Sequence, residues 1–115
     1  MGTTRAPRAL ARGAVALLCA GLLSGAGSAR PRSHVVQITG FAFVPARVTV
    51  AVGDTLAWVN EDIVPHTATA SKGAWDSGVI AAKGRWAVVV RAGGRVDYQC
   101  ALHPTMKGTV VIEQE

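Results

Sequence analysis

From residue 34 onward, apolar and polar positions alternate in short runs broken by glycine and proline. In HVVQITGF, Val36 and Ile38 fall on one face, the period-two signature of a half-buried strand. RVTVAVGDTLAWVN reads as two strand pieces. Val48, Val50 and Val52 alternate, Gly53-Asp54 turns the chain, and Leu56 and Trp58 share a face of the second piece. EDIVPHTATAS is a polar-edged loop leading into extended residues, and WDSGVIAAKG holds two turns around a short extended segment. RWAVVV from Arg85 is a strand, Gly93-Gly94 turns the chain into RVDYQC, and GTVVIE forms the last strand. No stretch after residue 30 carries a helical period. About seven short strands with turn signals between them predict an all-β sandwich or barrel of antiparallel and mixed strands.

The first 29 residues follow a different pattern. MGTTRAPRALAR carries three arginines and no acid, the apolar run GAVALLCAGLL follows, and SGAGSA closes with small residues. Basic, apolar and small in that order is a Sec-type signal peptide, with Gly27 and Ala29 suited to cleavage after Ala29. The apolar run is shorter than the roughly 20 residues of a permanent span. Arg5, Arg8 and Arg12 are never adjacent, which argues against a twin-arginine signal. Cys19 lies inside the apolar run behind Leu17 and Leu18, which argues against lipid attachment.

Removing that leader from the 115 residues leaves 86, enough for one domain over 30–115 with a modest core. The formal charge of +5 falls to +2, so the basic excess belongs to the leader. No Lys/Arg cluster with interleaved aromatics remains to mark a nucleic-acid surface. One cysteine, Cys100, remains as well. Exported domains use cysteines in pairs, so a single thiol points to an intermolecular bridge, a reactive group or a metal ligand.

The stretch YQCALHPTMKG favours the last of these. Cys100, His103 and Met106 recur at intervals of three just before a strand. Thiolate, imidazole and thioether form a soft donor set that suits copper, whereas methionine is not a usual zinc ligand. A trigonal His₂Cys site with a long axial Met is the geometry of electron-transfer copper, and it requires a second histidine. Only His34 and His66 are available outside the cluster. His34 sits at the N-terminal edge and reads as a solvated surface residue. His66, in VPHTAT, follows Pro65 in a loop, and a β-sandwich gathers its loops at two ends where His66 can meet Cys100. The bland readings place Trp58 and Trp86 in the core, Tyr98 packed below Cys100, Asp54 as a turn residue, and Lys72, Lys83 and Lys107 on a solvated surface.

With these residues in view, the chain resembles the small blue copper proteins, the cupredoxins, and most closely the amicyanin and plastocyanin group. The resemblance runs from about Phe41 to Glu113. It rests on Pro65-His66-Thr67, Asp76-Ser77-Gly78, Tyr98-Gln99-Cys100 and CALHPTM leading into KGTVVIE. It implies an eight-stranded Greek-key sandwich binding one copper ion as Cu(I)/Cu(II). His66, Cys100 and His103 would be strong equatorial ligands and Met106 the weak axial one. Two positions depart from the group: Thr67 stands where Asn is frequent, and Ala101 where Thr or Ser is frequent. Those side chains tie the two ligand loops together in relatives, so here the tie should be missing or replaced. The backbone N–H of Thr67 can still reach the Cys100 sulfur.

The function that follows is an exported one-electron carrier, periplasmic or secreted and monomeric, with transient redox partners docking near His103. A copper carrier or storage protein without a redox role would use the same ligands, and a purely structural sandwich is the third reading. An enzyme is disfavoured, because four donors leave no open position for substrate.

Overall fold

The computed structural model describes residues 30–114, and the segment read as a signal peptide lies outside the described residues. Eight strands carry the described chain: β1 (Ser33–Thr39), β2 (Ala42–Val44), β3 (Arg47–Ala51), β4 (Thr55–Asn60), β5 (Thr69–Ala70), β6 (Arg85–Val89), β7 (Gly94–Gln99) and β8 (Lys107–Glu113). They form two four-stranded sheets, ordered β2-β1-β4-β6 and β3-β8-β7-β5. β1 runs parallel to β4, and β3 parallel to β8, so each sheet is mixed. The result is a β-sandwich of eight strands, with the period-two residues of both sheets facing one another.

The alternation explains the core. Val36 and Ile38 of β1, Leu56 and Trp58 of β4, Tyr98 of β7, and Val110 and Ile112 of β8 are all buried. Trp86 and Trp75 flank this cluster and are partly buried; the Trp58 ring lies 5.6 Å from Trp75 and 5.7 Å from Trp86, measured between centroids. Tyr98 packs edge-on to Trp58 at 5.3 Å and faces Gly108 across the β7–β8 pair. A side chain at Gly108 would meet the Tyr98 ring at 2.4 Å, so β8 needs a residue without Cβ there. Burial pushes the Tyr98 hydroxyl up to about 12, against a smaller opposing effect from the Trp58 indole.

β2 is the strand that hydrophobic patterning does not reveal. It pairs with β1 through a two-residue turn, Gly40-Phe41, with Thr39 opposite Ala42. Both turn residues have positive φ, 61° and 59°, the requirement of a type I′ hairpin. The first strand of the pattern therefore stops at Thr39 rather than running on through Phe41. Phenylalanine in the left-handed region is unusual, because a bulky Cβ crowds the backbone there.

At the other end of β1, the solvated reading of His34 is corrected. Its ring is partly buried and lies 2.8 Å from Asp54. Asp54 is more than a turn residue: it is buried and also accepts N–H bonds from Arg32 and Ala51, both at 2.9 Å. Those two N–H groups and the His34 ring hold its carboxyl down at about 2.

Candidate metal centre

Three loops meet at the end of the sandwich where β1 turns into β2. Cys100 immediately follows β7 and Met106 immediately precedes β8, so a paired hairpin fixes both ends of the connecting loop. Within it, the Cys100 N–H donates to the Met106 carbonyl at 3.1 Å, and the Met106 N–H to the His103 carbonyl at 2.9 Å. His66 comes from the loop after β4 and exchanges backbone bonds with Ile80 at 3.2 and 2.7 Å. Buried Asn60 shapes that loop, its amide donating to the carbonyls of Val64 at 2.9 Å and Ile80 at 3.0 Å.

The donor atoms of His66, Cys100 and His103 all lie within 4.8 Å of one another. The Cys100 Sγ stands 3.7 Å from Nδ1 of His66 and 3.7 Å from Nδ1 of His103. Thiolate and imidazole bound to one first-row metal, at about 2.3 and 2.05 Å and about 120° apart, would be separated by about 3.8 Å. The residues thus have the spacing a single trigonal ion requires. His66 and Cys100 are fully buried, Met106 is buried beside them, and His103 alone reaches partly into solvent.

The tie between the two loops is replaced, not lost. The Thr67 N–H donates to Cys100 Sγ at 3.3 Å. The Thr67 hydroxyl accepts the Ala101 backbone N–H at 2.7 Å and bonds the Thr69 hydroxyl at 2.9 Å. Ala101 therefore needs no side-chain oxygen, since its main chain makes the contact. Thr69 continues to Asp76 Oδ1 at 3.1 Å, and Ser77 Oγ accepts the Ala68 N–H at 2.8 Å. The Asp76-Ser77-Gly78 segment is thereby hooked beneath the His66 loop.

Two contributors are all but invisible in the sequence pattern. Asp62 Oδ2 lies 2.9 Å from Nε2 of His66, and the same carboxylate accepts N–H bonds from Gly40 at 2.7 Å and Phe41 at 3.0 Å. Burial pushes the Asp62 carboxyl up, but those two N–H groups and the His66 ring outweigh it and hold the group below its ordinary range. Phe41 stands edge-on to both imidazoles, 5.2 Å from His66 and 5.1 Å from His103. An acid four residues before a candidate ligand histidine is the single local clue to the first; nothing local marks the second.

Comparison with known proteins agrees with this geometry. A family model described as copper binding proteins, plastocyanin/azurin family, matches residues 32–113. Amicyanin-alpha of Methylorubrum extorquens is 31% identical over 105 residues, covering 87% of this chain and 88% of its own length. The amicyanin of Paracoccus denitrificans is 33% identical over 86 residues and that of Paracoccus versutus 31% over 84. Each match covers 69% of this chain, which spans 64% of each Paracoccus relative. Among solved structures, a methionine-to-alanine mutant of amicyanin in its Cu(I) form superposes with a TM-score of 0.67 at 27% identity. A proline-to-alanine mutant in the oxidized state does so with 0.67 at 28%. Both matches cover 70% of this chain and 82% of the amicyanin chain.

Proposed function

Because the chain belongs to the plastocyanin/azurin family of copper-binding proteins, we propose that it is an exported one-electron carrier whose copper is held by His66, Cys100, His103 and Met106. The observation that carries this reading is the 3.7 Å spacing of Cys100 Sγ from both imidazole Nδ1 atoms. His66, Cys100 and His103 would be the strong donors and Met106 a weaker one. Copper, when bound, supplies a one-electron couple between Cu(I) and Cu(II).

The protein supplies the rest. The Thr67 N–H donates to the Cys100 sulfur and fixes its direction. Loops pinned by β7, β8 and the Ile80 bridge keep the donors where they are in both oxidation states, so little reorganisation opposes transfer. Burial of His66, Cys100 and Met106 excludes water and leaves His103 as the route for the electron. Phe41, Ile63, Val79 and Leu102 are exposed apolar side chains carried by the loops of this end, and Ala101–Thr105 contains no charge. Such a rim fits brief docking of a redox partner, whose interface is small in encounters of this kind. The leader in residues 1–29 is the basis for placing the protein in a periplasm or outside the cell, after cleavage behind Ala29.

The test is copper loading. Protein with one equivalent of Cu(II) is expected to turn intensely blue, to lose its free thiol and to be reduced and reoxidised reversibly. A colourless product whose Cys100 still titrates as a thiol would refute the reading. Reversible redox with rapid loss of metal to a chelator would favour a copper-delivery role instead.

A further inference from the structure

We infer that Asp62 is the positioning residue of the centre: one carboxylate sets the tautomer and direction of His66 and holds Phe41 against both imidazoles. This rests on the copper-centre reading of His66 and His103. Asp62 receives three donors on two oxygens, from Gly40, Phe41 and His66. Nδ1 of His66 faces the sulfur and Nε2 faces the carboxylate, so the ring proton sits on Nε2 and the Nδ1 lone pair is directed inward. A carboxylate behind a ligand imidazole raises its basicity and fixes its orientation. The His66 side chain is fully buried and that of Asp62 13% exposed, so water does not replace the bond.

The other two bonds act on Phe41. Gly40 and Phe41 both have left-handed backbones, and their consecutive N–H groups converge on this one carboxylate. A bulky Cβ is crowded in that region, so the surrounding structure must over-determine it. Phe41 gains little burial from its position, being 52% exposed. Its ring instead meets His66 and His103 at interplanar angles of 89° and 88°. Asp62 is fixed in turn, because its own N–H donates to Asn60 Oδ1 at 3.0 Å and the Glu61 N–H to the Ile38 carbonyl at 2.8 Å. Asparagine cannot substitute: its amide nitrogen would face the Gly40 N–H in one orientation and both the Phe41 N–H and the His66 Nε2–H in the other.

Two measurements test the inference. In ¹³C,¹⁵N-labelled apo protein, the His66 Nε2 proton is expected to exchange slowly with solvent, and Nε2 to couple across the bond to the Asp62 carboxylate carbon. In copper-loaded Asp62→Ala, Cu(II) affinity should fall about ten- to a hundredfold. Cu(I) affinity should fall less, because the singly charged ion gains less from a polarised imidazole. The potential therefore rises, by about 59 mV for each tenfold change in the affinity ratio. Asp62→Glu should recover part of the ratio, which a merely structural role would not require. A His66 proton exchanging like that of a free imidazole overturns the inference. So does Asp62→Ala with an affinity ratio within twofold of wild type. If Asp62→Ala does not fold, the apo proton measurement on the wild type decides alone. A wild-type protein that takes up no copper refutes the copper-centre reading instead, and the apo measurement still reports on the Asp62–His66 pair.

Discussion

Replacing Thr67 by valine isolates the bond that joins the two loops of the centre. The side chains have nearly the same shape, so the loss is that of the hydroxyl. Thr67 is buried, and its oxygen is the acceptor of the Ala101 N–H at 2.7 Å. Leaving a buried donor without an acceptor costs about 1–3 kcal/mol. Ala101 is itself exposed, so water partly compensates and the lower half of that range, about 1–2 kcal/mol, applies. The second bond, to Thr69, adds little because the Thr69 hydroxyl keeps Asp76 as a partner at 3.1 Å. For a domain of this size each kcal/mol lowers Tm by about 4–8 °C, so Thr67→Val should melt about 4–16 °C below wild type. The assay is thermal and urea unfolding of the metal-free protein, since both partners are protein atoms. Thr67→Ser retains the oxygen and should lose much less. Metal-free Thr67→Val within about 0.5 kcal/mol of wild type would refute the reasoning, as would Thr67→Ser falling as far as Thr67→Val.

Three further outcomes are expected. Gly108→Ala places a methyl 2.4 Å from the buried Tyr98 ring and should destabilise by about 1–3 kcal/mol in urea unfolding, with Tyr98→Leu in the same chain recovering part of the loss. Asp54 has its pKa lowered from 3.8 to about 2, so it stabilises the fold fully above pH 4 or so, and that contribution disappears as pH falls through about 2. Asp54→Asn should therefore show a flatter loss of stability over that window in urea midpoints measured against pH. Cys100→Ser should keep the fold, as judged by far-UV circular dichroism, yet give no intense visible absorption with Cu(II), because the thiolate donor is gone.

How much of this was legible in the chain depended on whether the cause was local. Cys100, His103 and Met106 stand out because one loop contains all three at a regular interval. His66 follows by scarcity, since few histidines exist to choose from. Strands β3, β6 and β8 follow from period-two runs whose burial alternates as the residues do, and β4 and β7 follow from the same alternation of residue types, although β4 also buries Ala57 between Leu56 and Trp58. β2 is hidden because its three residues are too few to show a period, and Gly-Phe is not among the usual type I′ pairs. Asp62 reads as one more polar loop residue because two of its three donors, Gly40 and Phe41, lie more than 20 residues away. The same holds for His34 and Asp54, 20 positions apart and brought together only by the parallel register of β1 on β4. Thr67 was recognisable as a departure from its relatives, but its hydroxyl reaches backbone, and backbone partners leave no trace in residue identity.

The parallel pairing of β3 with β8 sets the order in which the molecule can be assembled. β8 lies C-terminal to every other described strand, occupies an interior place in its sheet, and begins one residue after Met106. β3 therefore waits for a partner more than 50 residues downstream, and the loop carrying Cys100, His103 and Met106 has no fixed far end until that partner docks. Contacts of such sequence separation form late, because loop closure precedes their reward. A chain still being synthesised carries these donors on a segment whose geometry is not yet fixed. The fixed spacing that a single trigonal ion requires is thereby coupled to completion of the sandwich.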